Sequence, residues 1–165
     1  MRYWILKSEP TCFSIDDLQN APDQIAHWDG VRNYQARNYI RDDMQIGDLA
    51  FFYHSNCKVP GIIGLIRIIT AAYPDHTAFD PNSAHPDLTS SPNNPRWFMV
   101  DVQFIKKLDN IIPLVVLKRQ WALKNLSLIQ KGNRLSVMPV EAPEWNYLAS
   151  MAKVKHIIAI SPELK

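Results

Sequence analysis

The first apolar run of the chain, Tyr3-Trp4-Ile5-Leu6, is stopped by Lys7 and closed by Glu9-Pro10, which predicts a short buried strand over residues 3–7. Ser14 precedes Asp17 by three positions, the spacing of a reciprocal helix-start box, so a short helix is expected over residues 15–20. Trp28-Asp29-Gly30 reads as a turn. Asn33 then suits the cap of a helix reaching about Met44, with Ala36, Tyr39, Ile40 and Met44 along its apolar side and Arg37 and Arg41 on another. Gly47-Asp48 interrupts that period and launches an aromatic-rich strand over residues 49–54. Residues 61–70 form a second strand, apolar enough to be covered on both faces.

Residues 73–95 break the pattern with five prolines and many Asp, Asn and Ser, and loops of that length tend to bind ligands or act as lids. A strand is expected over 96–106, a short strand or helix over 113–120, and a strand over 134–140. Pro143 sits at the first turn of a helix over 144–153, and 156–160 reads as a last strand. No internal repeat or linker interrupts the series. It predicts one domain over residues 1–165, of the α+β class, on a curved sheet or small barrel with flanking short helices.

A length of 165 residues is enough to bury a real core, and 47% apolar with 21% charged residues excludes a disordered chain. Twelve prolines against five glycines argue against a glycine-rich phosphate cradle. Arg67 and Pro113 break the longest apolar stretches, so no membrane helix is predicted, and the run before Lys7 is too short for a secretion signal. Two distant cysteines, Cys12 and Cys57, suit a reducing compartment such as cytosol or nucleoplasm. The net charge of +2 is not that of a strongly basic nucleic-acid binder, but its distribution is uneven. Residues 96–135 carry eight Lys or Arg against Asp101 and Asp109 only, which fits either a solvated basic face or a polyanion-binding surface.

His54 and Cys57 form a single H-x-x-C while the other histidines are scattered, too little for a structural zinc site. The chain has no nucleophile elbow, P-loop or dinucleotide fingerprint, which argues against a phosphate-cradling enzyme, and no cofactor is expected. The segment Trp28-Asp29-Gly30-Val31-Arg32-Asn33-Tyr34-Gln35-Ala36-Arg37-Asn38 interleaves rings, amides and guanidinium groups. These are the parts needed to stack an extruded base, read its edge and hold flanking phosphates. The same residues also suit plain packing, with Trp28 and Tyr34 buried and Arg32 paired with a nearby aspartate.

Tyr3-Trp4-Ile5-Leu6-Lys7-Ser8-Glu9-Pro10, the 28–38 segment, Gly47-Asp48 with Phe52-Tyr53-His54-Ser55-Asn56-Cys57, Pro95-Arg96-Trp97 and Gly132-Asn133-Arg134-Leu135-Ser136-Val137 resemble, in order and spacing, the signatures of EVE-domain proteins of the thymocyte nuclear protein-like group. The likeness runs from residue 1 to about 150. It implies a PUA-like fold, a mixed-sheet pseudobarrel, and a non-catalytic reader of a modified cytosine or adenine in DNA or RNA. Trp28 is then the stacking wall, with Lys7, Ser8, Asn33 and Ser55 as polar contacts to the base. Tyr53, His54, Leu135 and Ser136 shape the pocket, and Arg32, Arg37 and Arg134 take phosphates. Gly47-Asp48 is then only the turn that starts a strand. Animal members carry a basic extension ahead of the domain. A chain starting at the first strand is expected to be a prokaryotic, cytoplasmic stand-alone copy, or nuclear if eukaryotic. The alternative is an enzyme acting on nucleic acid or a nucleotide through Cys57 with His54, or through a carboxylate such as Asp29 or Glu9.

Overall fold

The structure, a computed structural model, describes residues 1–160. Its elements are β1 (Tyr3–Ser8), α1 (Ile15–Asn20), β2 (Ile25–His27), α2 (Tyr34–Asn38), β3 (Leu49–His54), β4 (Gly61–Ile68), β5 (Tyr73–Pro74), β6 (Phe98–Met99), β7 (Asp101–Pro113), α3 (Leu114–Leu117), β8 (Val137–Val140), α4 (Ala142–Met151) and α5 (Lys155–Ile160). Six strands form one curled sheet in the order β2-β7-β4-β3-β1-β8, and β5 pairs with β6 apart from it. β1 and β3 run parallel while the other neighbours are antiparallel. Register shifts in β3–β4 and β4–β7 add local twist, which helps the sheet curl. This is the mixed α+β architecture the pattern predicts.

Both faces of the sheet are covered. Ile5, Phe51 and Tyr53 pack on one side with Trp145 of α4, whose ring lies 4.6 Å from Tyr3 and 4.3 Å from Phe51. Trp4, Leu6 and Phe52 pack on the other with Trp28 and the α1 and α2 side chains. The alternation along β1 sets this division, because successive side chains of a strand point to opposite faces. Asp48 does more than start β3. Its buried carboxylate accepts from the Trp4 indole N–H at 2.9 Å and from the backbone N–H groups of Arg2 and Gln45.

The Ser14–Asp17 box caps α1, and Asn33 caps α2 by accepting from Ala36 N–H at 3.0 Å. The helix expected to reach Met44 loosens after Asn38 into a wider turn over Tyr39–Asp43. The strand expected over 96–106 is instead split: Phe98–Met99 pairs with β5, and β7 starts at Asp101 and runs on to Pro113, where Ile112 and Pro113 still find partners in β4 at Ile62 and Gly61. The strand expected from residue 134 begins only at Val137. The last expected strand is overturned: Lys155–Ile160 is a helix. It adds to neither edge strand of the sheet, β2 or β8. Instead the left-handed Lys153 turns the chain so that Ile157 and Ile158 pack back on the α4 core. Residues 161–165, the end of the expected domain, lie outside the described residues. Among the described residues no helix is long and apolar enough to cross a membrane.

Candidate nucleic-acid pocket

Parallel pairing of β1 with β3 brings Ser8 beside His54, and Ser55 N–H donates to the Ser8 carbonyl at 3.0 Å. β8 enters on the other side of β1, so Lys7 N–H donates to the Ser136 carbonyl at 2.8 Å. Three segments far apart in sequence thus deliver Lys7, Ser8, Ser55 and Ser136 to one end of the sheet. Above them the 28–31 turn is pinned by Trp28 N–H donating to Val100 carbonyl. The space between is a cavity of about 740 Å³, within the usual range for small-ligand sites.

Trp28 lines this cavity while only 6% exposed, edge-on to both Phe13 and Phe52. It is wall and core at once. Phe13 lines the cavity beside it. The Ser8 hydroxyl donates to Phe13 carbonyl at 2.7 Å, so Ser8 can meet a ligand only as an acceptor. Lys7 is partly buried, which lowers its pKa, and among the described residues it has no carboxylate partner. Its ammonium lies 5.7 Å from the Tyr53 ring centroid. Arg134 is exposed and also lines the cavity.

The irregular 73–95 segment supplies the opposite wall through Thr77, Ser83, Ala84 and His85. A buried carboxylate holds it there. Asp75 accepts from Gly30 N–H at 2.8 Å, from the Arg32 guanidinium at 2.9 Å and from Thr77. Burial alone would raise its pKa, but the hydrogen bonds from Thr77, Gly30 and Arg32 outweigh it and hold Asp75 below the ordinary carboxylate value. Arg32 also donates twice to the His85 carbonyl. The far end of the loop is tied by the Trp97 indole N–H donating to Asp87 at 2.6 Å. Hydrogen bonds from Thr89 and Trp97 pull Asp87 down to about 2.

Several expected contact residues therefore sit elsewhere. Arg32 is committed to Asp75 and the loop, and Arg37 lies over the Tyr34 ring at 4.9 Å with a hydrogen bond to Arg96 carbonyl. Asn33 caps α2. Tyr53, His54 and Leu135 lie behind the lining: Tyr53 is 3% exposed, burial and Cys57 push its hydroxyl up to about 12, and Leu135 packs on both cores. His54 accepts from Ile15 N–H at 3.1 Å, and burial lowers its pKa. Neither His54 nor Cys57 lines the cavity, whereas Glu9 and Asp29 do. Glu9 accepts from Asn56 at 3.1 Å. Sequence reasoning missed Cys12, Phe13, His27, Val31 and the loop side chains. His27 carries no motif and is placed by Asp101 and Tyr73, which both meet its Nδ1. Among the described residues no group of three or more His, Cys, Asp or Glu could hold a metal ion.

Residues 2–151 match the family model described as the EVE domain. Human thymocyte nuclear protein 1 is 46% identical over 166 residues, an alignment covering 90% of this chain and 73% of the relative. A crystal structure of the human THYN1 protein in complex with 5-methylcytosine containing DNA superimposes with a TM-score of 0.88 at 45% identity, covering 93% of this chain and 98% of that one. A Pseudomonas syringae protein superimposes at 0.87 with 48% identity, covering 91% and 99%. A YTH domain from Zygosaccharomyces rouxii shares the fold alone, at 0.51 and 11% identity, covering 92% and 86%. The curled mixed sheet is thus PUA-like, and the chain belongs to the EVE domain family.

Proposed function

We propose that this protein is a non-catalytic reader of a modified base, which it receives, turned out of its strand, in the cavity at the ends of β1 and β3. One observation carries the reading. Lys7, which has no carboxylate partner among the described residues, shares with Ser8, Ser55 and Ser136 a cavity walled by Trp28 and Phe13, in a chain 45% identical to one solved with 5-methylcytosine containing DNA. Lys7 donates to a base carbonyl and Ser8 accepts from an exocyclic amino group, a pairing that suits the edge of cytosine. Trp28 offers its ring as a wall, and Ser55 and Ser136 complete the polar floor. Arg134 takes a flanking phosphate, while Asn33, Tyr53, His54, Leu135, Arg32 and Arg37 hold the walls in place. Residues 1–165 act as one EVE domain, and the free thiols of Cys12 and Cys57 suit a reducing compartment.

A methyl group buried against the wall adds about 0.8 kcal/mol, roughly fourfold in affinity, so base-edge hydrogen bonds must supply the rest of any strong selectivity. The test is a titration, at fixed salt, of oligonucleotides carrying cytosine, 5-methylcytosine, 5-hydroxymethylcytosine, adenine or N6-methyladenine at one position. A preference for one modified base that shrinks in Trp28→Phe is expected. Equal affinity for modified and unmodified strands would sink the reading. Turnover of any strand, lost in Asp29→Asn or Glu9→Gln, would move the protein to the enzyme class.

A further inference from the structure

Between Asp109 and Glu141 the chain has no carboxylate, yet it carries Lys118, Arg119, Lys124, Lys131 and Arg134. All five are exposed, and none forms an ion pair among the described residues. This segment leaves the sheet after Pro113, opposite Gly61, and rejoins it at Ser136 beside Lys7. Gly61 in turn lies opposite His54, and His54 opposite Ser8, so the segment departs and returns at the sheet end that holds the cavity.

Its leucines 117, 123, 126 and 128 are buried, as an amphipathic covering requires. Trp121 departs from that rule. It is 78% exposed, while the other four tryptophans are 6% exposed or less. The Lys124 ammonium lies 3.9 Å from its ring centroid. An open indole bearing a cation, inside a stretch of unpaired positive charge, has the composition of a sequence-independent single-strand contact: a ring for a base and cations for the backbone.

We propose that Trp121, with Lys124 and the basic segment around it, is a second nucleic-acid contact that stacks an unpaired base of the strand flanking the nucleotide in the cavity. This rests on the reading of the cavity as a nucleic-acid site. The positive charge decides the class of partner, because a polyanion needs it and an apolar protein surface does not.

The test measures affinity for a duplex with or without a short single-stranded tail, each made with cytosine and with 5-methylcytosine. For the unaltered protein the tail should raise affinity about tenfold, within the range that stacking one base supplies. Trp121→Ala should remove that gain, Trp121→Phe should keep most of it, and both should leave the ratio of modified to unmodified affinity unchanged. Both variants should also keep the thermal midpoint, since the ring contributes little to the core. Equal affinity for tailed and blunt duplexes, or a gain that survives Trp121→Ala, would overturn the proposal and leave the patch to a protein partner. A failed cavity reading shows separately, as a modified-to-unmodified ratio of one, while the tail effect on the cytosine duplex still tests Trp121.

Discussion

Lys7 separates binding from stability at the scale of one residue. Partial burial disfavours its charged form, and within the protein the ammonium is answered only by the Tyr53 ring, 5.7 Å from its centroid, until a ligand answers it. Lys7→Met should therefore leave the thermal midpoint unchanged or raise it, while weakening binding of the modified base about tenfold, as loss of a charged hydrogen bond would. Paired melting and titration measurements check this. A variant that loses stability and binding together would make Lys7 a structural residue. Trp28 cannot be tested as cleanly, because its indole also fills the core; truncating it to Ala costs several kcal/mol, about 3–5 for a buried Trp. The motif around Trp28 was legible in the sequence, but its division of labour was not. The packing reading holds for Trp28, which is buried, and for Arg32, whose aspartate is Asp75, 43 residues away, but not for Tyr34, which is 53% exposed.

The 73–95 segment is the element on which cavity shape depends. It has almost no regular structure, so side-chain ties rather than a ladder of backbone hydrogen bonds keep it in place. Gly30 shows how closely it is seated: its φ is +77°, and a Cβ there would lie 2.6 Å from the His85 ring. Asp75→Asn removes the charge that answers Arg32 and should cost roughly 3 kcal/mol, because it strands a partly buried guanidinium. Asp75 and Asp87 are both held below the ordinary aspartate value in the folded state. Their stabilisation is complete above an ordinary pKa of about 3.9 and is lost as pH falls toward the depressed values. Hydrogen exchange should accordingly show the loop opening between about pH 4 and 2 before the central strands do. Loop and strands opening together would show that these ties are not what seats it.

At the scale of the whole molecule, positive charge is concentrated between β7 and β8 while the first 60 residues carry eight carboxylates against six cations. Binding should then weaken with salt by the same factor for modified and unmodified strands, since phosphate contacts release counterions whatever the base. Titrations across a salt series check this. A modified-to-unmodified ratio that changes with salt would show that base and backbone contacts are coupled. The return of β8 beside β1 brings one of these cations, Arg134, into the lining of the cavity.

The sequence alone determined what depends on neighbouring residues and on periodicity. The Ser14–Asp17 box, the Asn33 cap, the bounds of β3 and the α+β class all follow from spacings within a few residues, where backbone propensity and side-chain alternation act directly. Matters that depend on partners far along the chain were decided only by tertiary structure. β7 extends because β4 is there to pair with it, and residues 155–160 form a helix whose Ile157 and Ile158 pack on the α4 core. Arg32 turns to Asp75 because folding brings a buried carboxylate within 2.9 Å of it. The cavity belongs to this second kind. Lys7, Ser55 and Ser136 became candidates only through the family resemblance, and the wall that encloses them comes from a loop whose sequence predicts no shape, seated by an aspartate that pattern alone does not single out.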